Sequence, residues 1–115
     1  MSDVIIYHNP RCSKSRQTLA LIEAAGVTPR IVEYLNTPLN ASDIQSICAM
    51  LGVTPREMMR TKEDAYIENN LGDATDRKLI DAMANHPILI ERPIVVRGDR
   101  AVIGRPPENV HQILG

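Results

Sequence analysis

The stretch Val4-Ile5-Ile6-Tyr7-His8-Asn9-Pro10-Arg11-Cys12-Ser13-Lys14-Ser15-Arg16 decides how this chain folds. Its first four residues form a continuous apolar run, which reads as a buried strand. His8-Asn9-Pro10 then turns the chain into a loop, since Asn and Pro favour turn conformations. From Ser13 to Ala25 the pattern is helical. Leu19 and Ile22 stand three apart, Leu21 and Ala25 four apart, and Gly26 ends the run. Arg30 to about Leu35, with the β-branched Ile31 and Val32, reads as a second strand. Strand, helix and strand within about thirty residues make a βαβ unit with parallel strands and a right-handed crossover.

Beyond this unit the chain turns helical. Asn40 or Ser42 caps a helix whose Ile44, Ile47, Cys48 and Leu51 share one face, ended by Gly52. Thr54-Pro55 opens a short helix through Met59. A polar stretch follows from Arg60 to Leu71. Asp76 then opens a third helix, with Leu79, Ile80 and Met83, closed by His86-Pro87. Ile94 to Ile103 spells a β-hairpin, with Gly98-Asp99 as a two-residue turn. Pro106 starts a closing helix containing Val110, Ile113 and Leu114. The order β-α-β, helical insertion (about 40–86), β-β-α predicts an α/β, thioredoxin-like fold. It is read as one domain over residues 1–115, with a four-stranded mixed sheet and flanking helices.

Composition narrows the function classes. The 115 residues are 43% hydrophobic and 23% charged, which fits a globular domain. Thirteen Lys and Arg against 14 Asp and Glu leave a net charge of -1, so no global field draws the protein to nucleic acid or an anionic membrane. Three Tyr, with no Phe and no Trp, give no stacking platform for bases. No run reaches the ~20 apolar residues of a membrane-spanning helix. The start lacks a basic region and cleavage site, so a cytoplasmic protein is expected. Neither membrane nor nucleic acid is an expected partner, and a monomer is the default state.

The two cysteines fall in different settings. Cys48 shares the apolar stripe of Ile44, Ile47 and Leu51 and reads as core. Cys12 stands between a strand end and a helix start. There the first N–H groups of the helix lack intrahelical acceptors, and the helix dipole adds roughly half a positive charge. Arg11, Lys14 and Arg16 add nearby cations. All of these favour the thiolate, which is the nucleophile. The same donors suit a tetrahedral oxyanion, so an anionic electrophile docks where the attacking sulfur is already ionised. The motif is C-x-x-S, with Ser15 available to hydrogen-bond the thiolate, and resolution of an adduct then needs an outside thiol such as glutathione. His8, a lone histidine at a strand end, reads as a solvated or capping group, though its charge and distance would raise or lower the thiolate population. His86 and His111 read as structural. The three histidines have no ligand spacing, so no metal is expected.

Four blocks complete the picture: Tyr7-His8-Asn9-Pro10-x-Cys12-x-x-Ser15-Arg16; Arg60; His86-Pro87-Ile88-Leu89-Ile90-x-Arg92-Pro93-Ile94-Val95-Val96; and Gly104-Arg105-Pro106. Over essentially its whole length the sequence resembles the glutaredoxin-linked arsenate reductase (ArsC) family. Arg11, Ser13 and Lys14 around the cysteine make it resemble a shorter, housekeeping-like subgroup. The resemblance implies reduction of arsenate to arsenite through a covalent Cys12 adduct, with arsenate or a similar oxyanion as the bound partner. No bound cofactor is implied; glutathione is the co-substrate and glutaredoxin the partner. It also implies that Arg60, Arg92 and Arg105 bind the oxyanion, that His8 tunes Cys12, and that Pro93 is a cis proline facing the cysteine. Arginine's planar fork suits two oxygens of such an anion. The same fold also serves Spx-type regulators that bind RNA polymerase, and monothiol modules that deglutathionylate proteins. Ser15 in place of a second cysteine disfavours the first of these.

Overall fold

The computed structural model describes residues 3–114. The chain divides into two compact units, one formed by the residues up to Thr37 together with Arg92 onward, the other by Pro38–Glu91.

The first unit is built on a four-stranded mixed sheet of order β2-β1-β3-β4. β1 (Val4–Tyr7) pairs parallel with β2 (Arg30–Val32), antiparallel with β3 (Ile94–Arg97), and β3 pairs antiparallel with β4 (Arg100–Ile103). Gly98, at φ 62, makes the hairpin turn that the sequence predicts. Alternation along β1 sends Val4 and Ile6 inward, where they meet Ile22, Val95, Val110 and Ile113 in one buried cluster. This is the thioredoxin-like arrangement, with α1 (Ser13–Ala24) and the closing segment flanking the sheet. β2 is shorter than predicted. The N–H groups of Asn36 and Thr37 both donate to the Glu33 carbonyl, and this turn stops the strand. The closing segment begins as a 3₁₀ turn, Pro107–Val110, before α5 (His111–Leu114).

α1 departs from its apolar reading. Its buried residues are Ser15, Thr18 and Ile22, a face that is mostly polar, while Leu19 and Leu21 are only partly buried and Ala25 is exposed. Thr18 Oγ1 donates to the Lys14 carbonyl at 2.8 Å. Gly104 lies against this face so closely that a Cβ there would stand 2.5 Å from Thr18 Oγ1 and 2.8 Å from Pro93 Cγ. The Gly104 N–H donates to the Pro93 carbonyl at 2.8 Å. Thus Thr18, Gly104 and Pro93 tie α1 to both ends of the hairpin.

In the second unit, α2 (Ala41–Leu51) starts with a reciprocal capping box between Asn40 and Asp43 and ends at Gly52, φ 69. Ile44, Ile47 and Cys48 are buried, as their spacing predicts. The short helix after Thr54-Pro55 is a single 3₁₀ turn, Arg56–Met58. α3 (Asp64–Glu68) lies within the polar stretch Arg60–Leu71, and a 3₁₀ turn at Leu71–Asp73 follows it. Arg56 accounts for them. Its guanidinium donates to the Tyr66 hydroxyl, the Leu71 carbonyl (3.0 Å) and the Ala74 carbonyl (3.2 Å). α4 (Asp76–Asn85) opens at Asp76, as the sequence predicts, and is capped by Thr75, whose hydroxyl accepts from the Lys78 N–H. Finally Met59 and Ile90 form a β-bridge, and the Arg60 N–H donates to the Leu89 carbonyl at 2.7 Å.

Candidate active site

The turn from β1 into α1 places Cys12. The Cys12 N–H donates to the Asn9 carbonyl at 3.0 Å, closing a β-turn with Pro10 at its second position. The Arg11 N–H donates to Asn9 Oδ1 at 3.0 Å, and Arg16 Nη1 to the Pro10 carbonyl at 2.9 Å. Asn9 is 6% exposed. Its role as the hub of this turn was signalled only by the Asn-Pro pair and is absent from the predicted site.

Cys12 is the N-cap of α1, in extended conformation (φ -93, ψ 123), and half-buried. No side-chain capping hydrogen bond forms to its thiol. Its surroundings nevertheless favour the ionised sulfur. Partial burial, the largest effect, pushes the thiol up; the Ser15 N–H, the Arg92 guanidinium and the Lys14 N–H together outweigh it and lower the pKa below that of a free thiol. The cation that acts on the sulfur is therefore Arg92, reached through the fold. The sequence-adjacent Arg11 and Arg16 are exposed, and Arg16 is committed to Pro10. Nε and Nη1 of Arg92 are buried with no hydrogen-bond partner among the described residues. The Arg92–Pro93 peptide is cis.

Ser15 differs from its predicted part. Its hydroxyl is fully buried, 2.6 Å from His8 Nδ1, and accepts from the Asn9 N–H at 3.0 Å. Only its backbone N–H serves the sulfur. His8 is itself buried; desolvation, together with Arg16, lowers its pKa against the opposing influence of Glu33. A neutral His8 accepting the Ser15 proton at Nδ1 satisfies both groups. His8 thus meets the Cys12 turn through the buried Ser15 hydroxyl. Arg105 is exposed at the end of β4, its carbonyl accepting from Asn109 Nδ2 at 3.2 Å, and the Arg105–Pro106 bond is also cis. Arg60 belongs to the other unit, where it pairs with Glu63 at 2.6 Å and Glu91 at 3.8 Å. Cys48 is buried in that unit, 3.7 Å from Met58 Sδ, and burial followed by Asp76 raises its pKa. It is an inert core thiol. Among the described residues no three His, Cys, Asp or Glu gather to hold a metal, and no helix is long and apolar enough to cross a membrane.

Both titrating groups respond to acid in the same sense. Cys12 and His8 each bind a proton less readily in the folded protein than in the unfolded chain, so their contribution to stability is lost as pH falls through the folded pKa values. Ultraviolet thiolate absorbance of the native protein should show Cys12 ionising below the free-thiol value of about 8.5. A midpoint at or above that value removes the activated-thiolate account.

Comparison with known proteins follows the same lines. The sequence model of the ArsC family matches residues 7–113. A Haemophilus influenzae protein named arsenate reductase is 52% identical over 114 residues, covering 96% of this chain and 98% of the relative. The Escherichia coli protein YfgD, named as uncharacterised, is 52% identical over 115 residues, covering 97% of each chain. The solved structure of an arsenate reductase from Vibrio cholerae superposes with a TM-score of 0.94 at 51% identity, covering 96% of each chain. With the match running through the Cys12 turn, both cis-proline loops and the sheet between them, the chain belongs to the ArsC family.

Proposed function

We propose that this protein reduces arsenate to arsenite with glutathione and glutaredoxin, through a covalent adduct on Cys12, and that both units serve this one activity. The observation that carries the reading is a sulfur favoured as thiolate beside an arginine with two buried, unpartnered nitrogens. The Cys12 thiolate attacks arsenic; a sulfur–arsenic bond forms, and one oxygen leaves as water after taking protons from solvent. A glutathione thiolate then attacks the Cys12 sulfur. A disulfide forms, the sulfur–arsenic bond breaks, and its electron pair stays on arsenic, which departs as arsenite. Two thiols have lost the two electrons that arsenic gains. The glutaredoxin thiolate opens the Cys12–glutathione disulfide at the glutathione sulfur and returns Cys12 as thiolate. Dependence on glutathione sets the reaction in the reducing cytoplasm.

In this scheme Arg92 holds the anion, and its charge stabilises the developing negative oxygens. The resemblance gives Arg105 and Arg60 the same part. Arg105 is exposed and available, whereas the pairs of Arg60 with Glu63 and Glu91 must open first. The test is NADPH consumption in the presence of glutathione, glutaredoxin and glutathione reductase. Consumption should depend on arsenate and slow when glutaredoxin is omitted. Equal consumption with and without arsenate overturns the reading, and turnover of a glutathionylated peptide instead identifies a monothiol deglutathionylase.

A further inference from the structure

A cavity of about 410 Å³ lies against the turn that carries Cys12, walled by His8, Pro10 and Arg11 and by Glu33, Leu35 and Asn36 of the segment after β2. Its volume falls in the range of small-molecule sites. Asn9 also lines it, and Asn9 and Cys12 are the two ends of one β-turn, within about 7 Å of each other. A ligand seated against Asn9 is therefore about two residue-lengths from Cys12, a gap that a flexible molecule can span.

The chemistry of the walls is dipolar. Arg11 spends its backbone N–H on Asn9 and leaves its guanidinium exposed. Glu33 is exposed, and one of its oxygens accepts from Asn36 Nδ2 at 3.2 Å, which leaves the other free to bind. A simple oxyanion gains from Arg11 but is repelled by Glu33. A purely apolar ligand leaves both charges unmatched. The walls suit a molecule carrying a carboxylate for the Arg11 fork and an ammonium for Glu33, joined by a short apolar stem. Leu35, 38% exposed and among the few large apolar residues so exposed, supplies the surface for that stem.

We infer that this cavity is the subsite for the tripeptide reductant, with Glu33 holding the ammonium of glutathione, Arg11 a carboxylate, and its thiol directed at the Cys12 sulfur. The inference rests on the reductase reading for its ligand but can fail separately from it. Two charge reversals test it, Glu33→Lys and Arg11→Glu, both exposed positions where the fold tolerates change. Each should raise KM for glutathione about tenfold, the equivalent of one charged contact, and leave KM for arsenate within about twofold. Turnover with the uncharged thiol dithiothreitol should be unchanged. A second measurement needs no turnover. Titrating the labelled protein with S-methylglutathione should shift the backbone amide signals of Arg11, Glu33 and Asn36, and the shifts should vanish in the Glu33→Lys variant. Shifts without arsenate turnover keep the subsite and discard the reductase reading. Arsenate turnover with unmoved glutathione KM and silent amides in this loop overturns the subsite alone.

Discussion

Cys12→Ser is expected to lose arsenate turnover while gaining stability. The loss follows from ionisation. An alcohol ionises far above any working pH, and two amide N–H groups plus one guanidinium, which suffice to lower a thiol, leave it protonated. Activity should fall by on the order of 10⁴-fold or more, to the background without enzyme. The gain follows from the cap. Cys12 occupies the N-cap of a twelve-residue helix without a capping hydrogen bond. Serine is among the preferred residues there, and its oxygen accepts from the N–H three positions on, the Ser15 N–H that already faces the sulfur, more strongly than a neutral thiol does. The expected gain is about 0.5–1 kcal/mol, or a rise in Tm of about 2–5 °C. The pH dependence gives the argument its sign. At alkaline pH the native thiolate is itself a good acceptor, and the advantage of serine narrows; as pH falls and the thiol takes up its proton, the advantage widens. Thermal unfolding of both proteins across pH measures this directly. Turnover of Cys12→Ser above a tenth of wild type would place the nucleophile elsewhere.

That the cysteine proposed as nucleophile should occupy a capping position without capping well is a local conflict of the kind that marks functional sites. It is also why this part of the site was legible from the linear sequence. A strand, an Asn-Pro turn and a helix start fix Cys12 through local geometry alone. The strands were equally legible, because Val4–Tyr7 and Ile94–Arg97 are apolar runs bounded by turn residues.

What the sequence concealed depends on long-range partners. The inner face of α1 is polar because Ser15 and Thr18 find partners in His8, Asn9 and the Lys14 carbonyl, so its apolar periodicity points to the wrong residues. α3 lies in a stretch of low apolar content and is braced by Arg56 from outside the segment. The cations that sequence proximity offers to Cys12 are exposed, while the one that acts on it stands eighty positions later in the chain. Only the resemblance to a known family pointed to Arg92. That same resemblance gave no sign that Glu63 and Glu91 engage Arg60.

Arg92 carries the second large expectation, because it serves both reactants. Arg92→Ala removes the cation beside the sulfur and the donors proposed for the oxyanion together. The Cys12 pKa should rise toward that of a free thiol, and kcat/KM for arsenate should fall by about 10²–10³-fold, the cost of a lost preset donor at a developing charge. Arg92→Lys separates the two roles. An ammonium restores a point charge near sulfur, so much of the pKa shift should return, but it lacks the two-pronged edge that meets two oxygens at once. The KM for arsenate should therefore stay raised when thiolate formation has recovered. Stability moves the other way. Burying Nε and Nη1 without partners costs the ligand-free protein on the order of 1–3 kcal/mol. Arg92→Met, which fills similar space with apolar atoms, should unfold at an equal or higher temperature than wild type while turning over no arsenate. An inactive but clearly destabilised Arg92→Met protein would mean that the arginine braces the fold, and the anion would then need another receptor. If Arg92→Lys instead matched wild type in arsenate KM, point charge alone would suffice and the fork would have no role.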